Sequence, residues 1–144
     1  MKALVLCSGM LQAYLIKEMK RRGITALLAD QNEKAPAVKY ADKFYAVSVF
    51  DIDGTREIAK KEKVDFVISV CADQVLLIAA QLCEELGLPC YIDYETAKNV
   101  SSKKYMKQIF VEYNIPTPRY IVRDKLTSYD VNNLCFPLVV KPVD

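Results

Sequence analysis

The feature that most constrains this chain is its opening rhythm of short apolar runs separated by one helical stretch. Residues 3–7 are continuously apolar and end at Ser8 and Gly9, which reads as a buried strand followed by a turn. From Met10 to Arg22, apolar Leu11, Tyr14, Leu15 and Met19 alternate with charged residues at the helical period. Gly23 sits where a helix-ending glycine belongs, and residues 26–29 form a second apolar run closed by Asp30. Two strands joined through one helix by short connections must run parallel.

The pattern continues. Residues 44–49 and 64–70 read as strands, with a helix capped by Asp53 between them. Residues 74–86 read as a helix apolar on most sides, ended by Gly87. A short strand at 89–91 and a brief helix capped by Asp93 follow. The expected fold class is α/β, a Rossmann-like doubly wound parallel sheet over residues 1–98. The rhythm changes in residues 99–144. There a helix capped by Ser101 or Ser102 carries Met106, Ile109, Phe110 and Tyr113 as its stripe, and Pro116 and Pro118 stop it. Thr127 or Ser128 opens a short helix, and residues 136–140 read as a strand before Lys141.

Composition excludes several classes of function. At 144 residues the length suits about one domain of ordinary size, and 52% apolar content suffices for a core. A net charge of +2 argues against a nucleic-acid partner, and no apolar run reaches membrane-spanning length. The five cysteines are scattered with no CxxC pair, as expected of reduced thiols in a cytoplasmic protein. There is no histidine, so an imidazole base or a histidine metal site is excluded. Charge is segregated: residues 48–93 carry nine acids and four bases, and residues 99–125 carry six bases and two acids. A basic segment after an acidic unit suits a phosphate-bearing ligand.

The first turn offers free helix amides to a ligand. A dinucleotide fingerprint needs three glycines, and only Gly9 is present; Cys7 and Leu11 or Gln12 take the other places. Asp30 stands near the spacing of a ribose-binding acid. An NAD(P)-binding domain is therefore one alternative, and a non-catalytic α/β ligand-binding module is another.

Longer motifs point elsewhere. They include Gly9, Met10, Leu11 and Gln12, then residues 35–45, Ala72 with Asp73, and Leu86, Gly87, Leu88 and Pro89. Ser102, Lys103, Lys104, Tyr105, Met106 and Lys107 precede Ile115, Pro116, Thr117 and Pro118, and Phe136, Pro137, Leu138, Val139, Val140, Lys141 and Pro142 follow. In these the chain resembles the N-terminal part of ATP-grasp enzymes, of the kind found in carbamoyl phosphate synthase large subunit and biotin carboxylase. The resemblance implies a pre-ATP-grasp domain at 1–98 and the first helix and strands of an ATP-grasp subdomain at 99–144. It implies ATP contacts from Lys103 and Lys141, with Mg2+ ligands outside this chain. It implies activation of a small carboxylate or bicarbonate-like substrate as an acyl phosphate, for attack by an amine or ammonia. Gly9, Gln12, Asp30 and Asp73 are candidates for the substrate side. The strand at 136–140 would lose its neighbours where the chain stops, so an inactive leading fragment, open to pairing with a second copy, is expected.

Overall fold

The protein is represented by a computed structural model that describes residues 1–125, 127–128, 130 and 134–143. The chain divides into two compact units, Met1–Ala97 and Lys98–Asp144.

In the first unit, strands β1 (Lys2–Leu6), β2 (Thr25–Asp30), β3 (Lys43–Ala46) and β4 (Phe66–Ile68) form one parallel sheet in the order β3-β2-β1-β4. Strand alternation splits the core into two layers. Leu4, Leu6, Leu27, Ala29 and Val67 face helices α2 (Ile52–Glu62) and α3 (Asp73–Leu86), where they meet Ala59, Val75, Ile78, Ala79 and Leu82. Ala3, Val5, Ala26 and Leu28 face helix α1 (Met10–Arg21) and a 3-10 turn, Val38–Tyr40. Leu4, Leu6, Ile16, Leu28 and Leu82 are fully buried, each contributing about 1.5–3 kcal/mol of transfer free energy. Helices on both faces of a parallel sheet make the doubly wound α/β architecture expected from the sequence.

Several elements differ from expectation. The buried stripe of α1 is Gln12, Ala13, Ile16 and Met19, while Leu11 and Tyr14 are exposed. The small Ala13 lets the helix lie close to the sheet, so the face is set by fit and not by the bulkiest residues. Asp51, not Asp53, caps α2: its carboxylate accepts from the Gly54 amide at 3.0 Å. β4 is only three residues long because Ser69 leaves the ladder and turns its hydroxyl to the Leu6 carbonyl, 3.1 Å away. Residues 89–91 form no strand. Pro89 has no N–H to give a ladder, and Tyr91 instead donates its hydroxyl to the Ser69 carbonyl.

Helix α4 (Tyr94–Ser101) starts at Asp93, whose carboxylate accepts from the Thr96 amide and hydroxyl. In the second unit, helix α5 (Lys103–Glu112) is capped by Ser102, which accepts from the Tyr105 amide. The strand expected at 136–140 does not form among the described residues: it belongs to no ladder, and Val139 and Val140 are exposed. An apolar run becomes a strand only where a neighbouring edge takes its backbone hydrogen bonds, and no such edge is present there among those residues. The short helix expected from Thr127 or Ser128 falls largely outside the described residues.

Candidate functional site

Open parallel sheets bind ligands beyond the carboxyl ends of their strands, where adjacent strands send their chains to opposite faces. Here that point lies between β1 and β4: β1 leads to α1 on one face, β4 to α3 on the other. The loops there contain Cys7, Ser8 and Gly9 on one side and Ser69 through Ala72 on the other. Each loop contains a non-glycine residue in the left-handed region, Cys7 at φ 70° and Cys71 at φ 52°. Such backbone conformations cost free energy and persist only when neighbours hold them. The Cys7 amide donates to the Ala29 carbonyl and the Ala37 amide to the Ser8 carbonyl, which fixes the first loop against β2 and the 3-10 turn.

Gln12 closes the crevice. Its side chain is 4% exposed, and its Nε2 donates to the Val70 carbonyl at 2.7 Å, tying the β1 loop to the β4 loop. Gly9 opens α1 with φ −67°, so no unusual backbone requires glycine there; a Cβ at Gly9 would instead meet Gln12 Oε1 at 3.0 Å. Where a dinucleotide fold would carry its third glycine, this chain carries a side chain that fills the space. The geometry therefore speaks against the NAD(P)-binding alternative.

Asp30 ends β2 on the same edge, half-buried, and its Oδ1 accepts from the Asn32 amide at 2.8 Å. Burial, and secondarily the Asp30 carboxylate, pushes the Cys7 thiol above its ordinary range, which keeps that thiol protonated. Asp73 is the first residue of α3, also on this edge. Gly9, Gln12, Asp30 and Asp73 thus share one edge of one sheet. Met10 and Leu11 are exposed at 56% and 50% in the first turn of α1. The helical period places Leu11 on the apolar stripe, and only the rotation of α1 turns it outward.

Lys103 and Lys141 belong to the second unit. The Lys103 amide donates to the Val143 carbonyl at 2.9 Å, so the start of α5 lies against the segment that carries Lys141. Neither ammonium is paired with a carboxylate among the described residues. Lys107, on the same helix face as Lys103, is committed internally: it donates to the Thr117 hydroxyl and stands 5.5 Å from the Tyr120 ring centre. An open groove of about 620 Å³ lined by Tyr105, Gln108, Ile109 and Glu112 contains neither Lys103 nor Lys141. No group of three or more metal-ligating side chains occurs among the described residues. Nor is any helix among them long and apolar enough to cross a membrane.

Residues 4–90 match the family described as PylC-like, N-terminal domain. The chain is 30% identical over 99% of its length to the formate-dependent phosphoribosylglycinamide formyltransferase of Shewanella frigidimarina, of which it covers 36%. Among solved structures it is similar to phosphoribosylglycinamide synthetase from Anaerococcus prevotii, with a TM-score of 0.73, 26% identity, and coverage of 94% of this chain and 35% of that one. It also shares the fold of L-amino acid ligase from Bacillus licheniformis, with a TM-score of 0.77, 22% identity, and coverage of 99% of this chain and 37% of that one. The chain therefore spans little more than a third of the length of the curated relatives it matches. The finer likeness to carbamoyl phosphate synthase is loose: the relatives named above are a formyltransferase, a synthetase and a ligase.

Proposed function

We infer that this chain, which belongs to the PylC-like N-terminal domain family of ATP-grasp enzymes, forms the leading part of an ATP-dependent ligase joining a small carboxylate to an amine. The observation that carries this reading is the hydrogen bond from the Lys103 amide to the Val143 carbonyl. It keeps two cationic stretches of one unit together, each with an ammonium that no carboxylate neutralises among the described residues. Unpaired lysines on a short tether suit a triphosphate, since an ammonium is a compact donor to phosphate oxygens. When bound, ATP supplies the phosphoryl group that activates the carboxylate, and magnesium offsets its charge. The residues of this chain bind and orient. Lys103 and Lys141 hold phosphate oxygens, and the carboxyl edge of the β1–β4 pair takes the amine side. Magnesium is assigned to no residue here, because the described side chains offer no ligand cluster.

Calorimetric titration of MgATP into the intact polypeptide tests the reading. A hydrogen bond to a charged group is worth about 1.5–3 kcal/mol. Lys103→Met and Lys141→Met are therefore each expected to weaken binding by about tenfold or more. Unchanged ATP affinity in both variants, or saturable NAD binding with no response to ATP, overturns it.

A further inference from the structure

The end of α3 brings two cysteines together that the ligase reading does not use. The helix stops at Gly87, whose left-handed backbone (φ 62°) turns the chain back on itself. The Leu88 amide then donates to the Cys83 carbonyl at 2.8 Å. Leu88 and Cys90 stand two residues apart, and both pack on the core layer that contains Cys83. The turn thus folds Cys90 onto Cys83.

Cys83 is fully buried and Cys90 is partly exposed. The Cys83 thiol donates to the Val67 carbonyl at 3.7 Å. A thiol has one hydrogen, so the hydrogen bond between the two thiols is donated by Cys90 to the Cys83 sulfur. Burial first, and Cys90 to a smaller degree, pushes the Cys83 thiol above its ordinary range. The Tyr91 hydroxyl lies near enough to feel both sulfurs, and it donates to the Ser69 carbonyl at 3.1 Å. This group therefore reaches from the end of α3 to the loop after β4. Cys7 has a different neighbour, the Asp30 carboxylate, and Cys71 and Cys135 are exposed.

We propose that Cys83 and Cys90 are a redox-modified pair, joined reversibly by exchange with a small disulfide of the oxidised-glutathione class. Cys90, the thiol that solvent reaches, gives up its proton, and its sulfur attacks one sulfur of the small disulfide. The S–S bond of that reagent breaks, and one reduced thiol leaves after taking up a proton. Cys83 then gives up its proton, attacks the Cys90 sulfur of the mixed disulfide and expels the second reduced thiol. Two protein thiols are oxidised and one small disulfide is reduced to two thiols. The product loses the Cys83 bond to Val67 and staples α3 to the segment whose Tyr91 holds the β4 loop. In a reducing compartment such a bond is transient and reports an oxidising change. None of these steps uses ATP or the carboxyl edge of the sheet.

The test incubates the intact polypeptide with oxidised glutathione in native buffer, blocks the remaining thiols with iodoacetamide, and reads the digest by mass spectrometry. A peptide joining Cys83 to Cys90 is expected, reversed by dithiothreitol and about tenfold or more above any other cysteine pairing, since the two sulfurs are already in contact. Cys83→Ala is expected to keep glutathione on Cys90, because the thiol that displaces it is gone. Cys90→Ser is expected to leave Cys83 without glutathione, because Cys83 is sealed from solvent. Where Cys83→Ala fails to fold, the unsubstituted protein and Cys90→Ser decide. Glutathione retained on Cys90 of the unsubstituted protein with no link to Cys83 overturns the proposal. A link that forms only after urea is added overturns it too, as does glutathione on Cys83 in native Cys90→Ser.

Discussion

Glu62 shows how one side chain can join several elements. It is the last residue of α2, and its carboxylate accepts from Lys43 at 2.6 Å, from the Tyr45 hydroxyl and from Lys2 at 3.3 Å. Lys2 also donates to the Glu62 carbonyl, so β1, β3 and the end of α2 meet there. The Lys43 ammonium first, then the Tyr45 hydroxyl, holds the Glu62 carboxyl down at about 2 from its ordinary 4.5. A carboxyl depressed on folding gives stability that is complete above its unfolded value and is lost as pH falls through the folded one. The urea midpoint is therefore expected to fall between about pH 4.5 and about pH 2, and Glu62→Gln to make that fall shallower. Glu18 is held equally low by Arg21 and Arg22, but those partners are exposed and salt screens them. Comparing Glu62→Gln with Glu18→Gln at one salt concentration separates the two shares. A pH slope unchanged in Glu62→Gln contradicts the assignment. None of this was legible in the sequence, because Lys2, Lys43, Tyr45 and Glu62 have no periodic relation and meet only through the sheet.

At the scale of elements, sequence pattern located helices better than their faces. The α3 span and its left-handed Gly87 cap were readable, as was the Asp93 cap of α4. The cap of α2 was not: the sequence points to Asp53, but the helix begins at Ile52, so Asp53 falls in its first turn and Asp51 caps it. Asp51→Ala is expected to cost about 1 kcal/mol in chemical denaturation, the usual worth of a cap. Asp53→Ala is expected to cost less, since Asp53 is exposed and its partner Arg56 also binds Glu85 at 2.7 Å. The reverse order would restore Asp53 as the cap. The face of α1 was misjudged for a related reason. Periodicity fixes which residues share a side, but Leu11 and Tyr14 and Ile16 and Met19 are competing stripes on one helix. The sheet selects the stripe that includes Ala13, because a small residue permits close approach. That choice is what leaves Leu11 and Tyr14 exposed.

For the whole molecule, burial separates the two units. Met1–Ala97 contains every core residue of both hydrophobic layers, whereas the described part of the second unit contains no buried apolar side chain. Amide exchange should reflect this, since protection follows packed apolar contacts. Amides of β1, β2 and α3 are expected to exchange at least a hundredfold slower than those of α5, as read by hydrogen–deuterium exchange. Equal protection would show that α5 is stabilised by contacts other than apolar burial. The candidate lysines were named from their motif and their place beside prolines and an apolar run. The bond from Lys103 to Val143 had no sequence signal, because backbone hydrogen bonds between distant segments leave no mark on residue type. By itself the sequence determined the parallel α/β order, the positions of most helices and the family, since apolar periodicity and turn residues are local properties. Only the tertiary structure decided which face of α1 is buried and that Gln12 ties the β1 loop to the β4 loop. Those outcomes depend on the register of β1 against β4, and register is set by packing between segments some sixty residues apart.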